Sequence, residues 1–218
     1  KILPYLGQRK MSEITAKDVI DWQNEMRSQK GKTGKPVSPT YLKTIHGQLS
    51  SIFNHAIRYY DLNINPARKA GTMGAEESKE MLFWTKEEYL KFAEAMMDKP
   101  LSYYAFEMLY WCGIREGELL ALTPADFDFH NQTVTINKSY QRLKGRDVIT
   151  SPKTKKSNRV VKMPQFLSEE MEDCMKLYYS LKPTDRLFPV TKHYLSHEMD
   201  RGCKAAGVKR IRIHDLRH

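Results

Sequence analysis

The chain has 218 residues, 40% of them hydrophobic and 11% aromatic, which excludes a disordered tract and allows one or two packed cores. Thirty-six Lys and Arg against 26 Asp and Glu leave a formal charge of +10 and a pI near 9.4, which favours a polyanionic partner, nucleic acid before membrane, over a basic surface kept for solubility. No run approaches the ~18 to 20 apolar residues of a membrane span, and KILPYLGQRK lacks the apolar stretch of a signal peptide.

The first stretch, residues 1–74, reads as a small all-helical unit. Thr15 caps a helix with Asp18 three residues on, and Val19, Ile20, Trp22 and Met26 supply its apolar positions. Lys30 to Lys35 is a Gly- and Lys-rich loop. Ser38-Pro39 then starts a long helix, where Leu42, Ile45, Leu49, Ile52, Phe53, Ala56 and Ile57 are expected on one face. Asn65-Pro66 breaks the chain before a short basic stretch. Residues 1–75 hold twelve basic side chains and five acids, so this unit carries most of the surplus charge. That suits a DNA-binding helical unit; an ordinary helical subdomain with a solvated basic face is the plainer alternative.

Residues 75–84 are polar around Glu76 to Glu80 and read as a linker. From residue 85 a second, α+β unit is expected, mainly helical with a small antiparallel sheet. Thr85 and Glu88 form a capping box, Pro100 ends the helix that follows, and Leu101 to Cys112 form a buried helix ended by Gly113. Short strands are expected at Thr133–Ile136, Val148–Thr150 and Arg159–Met163, and helices at Ser168–Tyr179 and His193–Ala206. Cys112, Cys174 and Cys203 show no metal or disulfide spacing and fit a reducing cytoplasm.

Three clusters could carry chemistry. In GIREGELLAL, Arg115 follows a helix-ending glycine and can present a bidentate fork to a phosphate, with Glu118 three residues on to hold it; a surface i, i+3 ion pair explains the same spacing. From Lys138 to Lys162 there are nine basic residues and one acid. Such a hairpin suits a phosphate backbone, and a lysine in it could donate a proton to a leaving oxygen; a solvated basic loop is the alternative. At the end, His214 and Arg217 in HDLRH share a face at i, i+3, as a proton-transfer group and a phosphate fork or as a polar helix cap.

Taken in order, GIREGELLAL, PKTKKSNRVV and HDLRH resemble the signature of the tyrosine recombinases, the family of phage-type integrases, and look nearest to the integrases of conjugative transposons. PYLGQRKMSEIT and the helices after it resemble the family's core-binding domain, so the resemblance covers almost the whole chain. It implies an all-α core-binding domain over 1–74 and a catalytic domain over 85–218. Arg115 and Arg217 would grip the scissile phosphate, Lys153 would protonate the departing 5′ oxygen, His214 would assist proton transfer, and Glu118 would support the first arginine. Lys30, Lys32, Lys35, Lys43, Arg58, Lys144, Arg146, Lys155, Lys156 and Arg159 are the expected further DNA contacts.

The reaction so implied is attack of a tyrosine hydroxyl on phosphorus, giving a 3′-phosphotyrosyl link and a free 5′ hydroxyl. It needs no cofactor and no metal, because two guanidiniums can stabilise the charge that metal ions stabilise elsewhere. The nucleophile is expected beyond Arg217, where no tyrosine of this chain lies, so these residues are expected to bind double-stranded DNA without cleaving it alone. Self-association on paired DNA sites and a location with the bacterial nucleoid follow from the same resemblance. Two other functions stay open: a metal-dependent nuclease using Asp126, Asp128, His193 and His197, and a non-catalytic DNA-binding protein of the same fold.

Overall fold

The computed structural model describes residues 1–31, 34–76, 80–151 and 158–217, which separate into two compact units, Lys1–Glu80 and Met81–His218. In the first unit α1 (Leu3–Leu6) precedes α2 (Ala16–Ser28), α3 (Pro39–Tyr59) and the single turn α4 (Pro66–Lys69). Local chemistry starts each of the longer helices. The Thr15 hydroxyl accepts from the Asp18 N–H while the Asp18 carboxylate accepts from the Thr15 N–H at 2.7 Å, and Ser38 caps α3 with Pro39 at its first position.

The apolar stripe of α3 is narrower than expected. Leu42, Ile45, Leu49 and Phe53 are buried in one cluster with Val19, Trp22 and Met26 of α2 and Ala56 is buried too, but Ile52 and Ile57 are exposed. Each follows or precedes a buried neighbour by one residue, and one residue turns a helical position about 100° away from the core. Ile20 of α2 is exposed for the same reason. Polar side chains lock the remaining joints. Gln23 donates to the Gly71 carbonyl at 2.8 Å and meets His46 Nδ1 at 3.3 Å, and the Asn65 amide donates to the Ser50 carbonyl at 3.0 Å while its oxygen caps α4.

The second unit opens earlier than residue 85, because Trp84 is buried in its core and its indole N–H donates to the Lys209 carbonyl at 2.8 Å. Helices α5 (Lys86–Met96) and α6 (Pro100–Cys112) follow. Gly113 ends α6 in the left-handed region at φ 57°, where a side chain is strained. The chain then makes one helical turn, α7 (Glu116–Leu119).

Strands β1 (Phe127–Asp128), β2 (Thr133–Ile136) and β5 (Arg159–Lys162) form an antiparallel sheet in the order β1-β2-β5, with Val134 opposite Val161. Val134 and Ile136 point into the core. Strands β3 (Ser139–Leu143) and β4 (Arg146–Thr150) form a separate hairpin. Its two-residue turn, Lys144-Gly145, has positive φ at both positions (48° and 81°), the geometry that matches strand twist. The expected small sheet is therefore two sheets, and β1 and β3 are additions. Helices α8 (Gln165–Lys176) and α9 (Lys192–Ala206) complete the core, and a 3-10 turn over Ile213–Arg217 packs on α6. Among the described residues no helix is long and apolar enough to cross a membrane.

Candidate phosphate-binding site

The site is assembled from the bend after α6. Ile114 is fully buried and anchors the bend, which leaves Arg115 exposed at the N-terminal cap of α7. Glu118, one turn later, is only 6% exposed. Its carboxylate accepts from the Arg115 backbone N–H at 2.8 Å and from Arg115 Nη1 at 2.8 Å. It also accepts from Arg159 on β5, through Nη1 at 3.1 Å and Nη2 at 2.7 Å. Burial alone would push the Glu118 carboxyl up; the hydrogen bonds from Arg159 and Arg115 outweigh it and hold the group down at about 2.

The last turn brings in a third guanidinium. Asp215 is buried and receives Arg212 through Nε at 2.7 Å and Nη2 at 2.8 Å, while Ile213 and Leu216 face the core. That anchoring leaves His214 exposed and Arg217 half-buried. Arg217 lies below its ordinary pKa, first because of burial and then because of repulsion from Arg115 and Arg159, which Glu118 only partly offsets. Its Nε is buried and has no hydrogen-bond partner among the described residues. One carboxylate thus serves two arginines, while a third presents an unmatched donor beside them. Such an arrangement suits an anion with several acceptor oxygens.

Other parts hold this arrangement in place. Helix α7 packs on β3 so closely that a Cβ on Gly117 would lie 2.7 Å from Ser139 Oγ and 3.0 Å from the Tyr140 carbonyl. Arg186, which no sequence motif marks, binds three carbonyls: Leu120 through Nε at 2.7 Å, and Phe188 and Val190 through Nη2 at 2.9 and 2.7 Å. Its guanidinium carbon lies 3.9 Å from the centre of the Tyr140 ring, and Nη1 is 3.4 Å from Asp147, which also accepts from the Tyr140 hydroxyl at 2.9 Å. Arg186 so ties the end of α7 to the β3–β4 hairpin.

The remaining expected residues fall in several places. Lys32, Lys153, Lys155 and Lys156 lie outside the described residues. Arg159, expected on DNA, has its guanidinium on Glu118. Lys144 and Arg146 are exposed at the tip of the β3–β4 hairpin. In the first unit the Gly31 N–H, next to Lys30, donates to the Lys35 carbonyl at 2.7 Å, Lys43 pairs with Glu76 at 2.7 Å, and Arg58 lies 6.0 Å from the Tyr59 ring centre. The acids of the nuclease alternative are engaged elsewhere. Asp126 is buried under Lys138 at 2.5 Å, Asp128 accepts from Asn131 at 2.9 Å, and no group of three His, Cys, Asp or Glu could hold a metal among the described residues.

The chain is 29% identical over 231 residues to the ICEBs1 integrase of Bacillus subtilis strain 168, covering all of this chain and 61% of that protein. It is 26% identical to the integrase of Mycobacterium phage L5, over all of this chain and 58% of that one. It therefore spans about three fifths of the length of these curated relatives. Among solved structures, the Tn1549 transposon integrase in complex with a circular intermediate DNA superposes with a TM-score of 0.78 at 20% identity, over all of this chain and 76% of that one. A lambda integrase dimer bound to a core site gives 0.64 at 19% identity, over 99% and 72%. These two share the fold: helices with small antiparallel sheets. The model of the N-terminal SAM-like domain of phage integrases matches residues 1–27, and the Phage integrase family model matches residues 82–218, which hold Arg115, Glu118, Arg159, His214 and Arg217; the chain belongs to the phage integrase family.

Proposed function

We propose that the chain is the DNA-handling core of a site-specific tyrosine recombinase that binds duplex DNA and holds one scissile phosphate between Arg115 and Arg217. The observation that carries this is the buried, unmatched Nε of Arg217 beside Arg115, with Glu118 already shared by Arg115 and Arg159. Both guanidiniums would bind the nonbridging oxygens and offset the charge that builds there as phosphorus becomes five-coordinate. A tyrosine hydroxyl attacks phosphorus, gives up its proton toward His214, and the bond to the 5′ oxygen breaks. The DNA 3′ end is left on the tyrosine, and Lys153 gives its proton to the departing 5′ oxygen while His214 assists transfer. No tyrosine of these 218 residues is assigned as the nucleophile. The covalent link conserves the phosphodiester, so the step reverses on a partner strand without ATP.

Residues 1–74 are proposed as an all-α core-binding domain, with Lys30, Lys32, Lys35, Lys43 and Arg58 on the phosphate backbone. The basic hairpin tip of Lys144 and Arg146, together with Lys155 and Lys156, is proposed as a further contact. Self-association on paired sites is proposed from related solved structures described as a lambda integrase dimer on a core site and a tetramer on a Holliday junction. A bacterial cytoplasm is the compartment that fits a DNA partner. The test is a titration of this chain against a fluorescent duplex at several salt concentrations. Binding is expected to weaken steeply with salt, and Arg115→Ala or Arg217→Ala each to lower the slope of log K against log salt by about 1. A flat salt dependence would remove the DNA-binding function.

A further inference from the structure

Helix α9 carries a pair of side chains that the phosphate site does not use. His193 and His197 lie four residues apart, both exposed, with their Nε2 atoms 3.0 Å apart and their rings at 82°. Residues at i and i+4 share one helix face. A divalent metal bonds an imidazole nitrogen at about 2.0–2.1 Å, within reach of both rings once they turn toward one ion. Both rings are at the surface, and rotation about their side-chain torsions turns each lone pair from its neighbour to a common point outside the helix.

The surroundings leave the pair as the protein's whole contribution. Asp200, three residues beyond His197 on the same helix, has its carboxylate on Arg210 Nε at 2.5 Å. No third His, Cys, Asp or Glu completes a metal-holding group among the described residues. The other coordination positions of an ion here fall to water or to a ligand brought from outside.

The geometry points to a two-imidazole chelate at His193 and His197 for a late first-row divalent cation, with Cu2+ held most tightly of the series. Mg2+ and Ca2+, which take oxygen ligands, are not its occupants. An ion bridging the two rings binds folded α9 more tightly than the single histidines of the unfolded chain, so it stabilises the second unit as its concentration rises. This site is independent of the phosphate site and stands or falls apart from it.

Calorimetric titration of the 218-residue chain with Ni2+ and with Cu2+ tests the site, alongside His193→Gln, His197→Gln and His130→Gln. His130 is also exposed and serves as the control for a lone surface histidine. The expected result is one ion bound per chain at this site, at least tenfold weaker in either α9 variant and unchanged in His130→Gln. The unfolding midpoint should rise by several degrees with excess Ni2+ in the wild type and not in either α9 variant, and Mg2+ should not move it. Without metal all four proteins should unfold at the same temperature, which separates loss of a ligand from loss of the fold. Equal metal binding by the wild type and both α9 variants, or no binding at millimolar Ni2+, overturns the proposal.

Discussion

Arg159 of β5 donates two hydrogen bonds, at 3.1 and 2.7 Å, to the carboxylate of Glu118, 41 residues earlier on α7. The pair joins the three-stranded sheet to the turn that carries Arg115, and Glu118 holds Arg115 with the same carboxylate. Arg159→Ala would leave a buried carboxylate with one arginine instead of two. We expect it to destabilise the second unit by about 2–4 kcal/mol in denaturant unfolding. The loss of DNA affinity should exceed that of Lys144→Ala at the exposed hairpin tip.

Glu118 also sets a pH dependence. Its carboxyl is held at about 2, below its ordinary 4.5, so the folded state binds the proton less well than the unfolded state. Its contribution is complete above pH ~4.5 and is lost as pH falls toward 2, on the order of 3 kcal/mol in all. The stability difference between the wild type and Glu118→Gln should therefore be largest at neutral pH and shrink steadily below pH ~4.5. A difference that stays constant down to pH 3 would mean that the ion pairs contribute nothing to the fold.

Gly202 tests the packing of the second unit. A Cβ there would lie 2.4 Å from Phe92 Cε2 and 2.5 Å from Met96 Sδ, so α9 leaves no room for a side chain where it meets α5 at this glycine. Gly202→Ala should destabilise by about 1–3 kcal/mol, since overpacking outweighs the gain in helix propensity. Thermal unfolding of the purified variant checks it.

Asp126 separates the recombinase account from the nuclease alternative. The carboxylate accepts from the Thr123 N–H at 2.7 Å and pairs with Lys138. Asp126→Ala should cost about 3–5 kcal/mol of stability by leaving Lys138 without its buried partner. Added chelator should not change that figure, whereas a metal ligand at this position would make the loss depend on metal.

Local chemistry was legible in the chain before folding. Thr15, Ser38-Pro39, Thr85 and Gly113 mark helix ends because a cap depends on residues within one turn. Strand β3 was not legible, since SYQRL turns only Tyr140 to the core and has no alternating pattern. Nor was β1, at two residues. The candidate site divides in the same way. Arg115 and Glu118 are one turn apart and their pairing follows from spacing. Arg159 reaches Glu118 across the fold, and Arg186 binds the carbonyl of Leu120, 66 residues away, so no local pattern exposes either.

The central claim is that Arg115 and Arg217 hold a phosphate for attack by a tyrosine. The most direct measurement uses the protein extended to the length of its relatives, a nicked duplex carrying its candidate site, and a chelator. The readout is a denaturing gel for a covalent protein–DNA band. The account predicts a band that survives chelator and disappears in both Arg115→Ala and Arg217→Ala while DNA binding persists. No band despite tight binding to the same duplex, or a band of equal strength in both arginine variants, would contradict it.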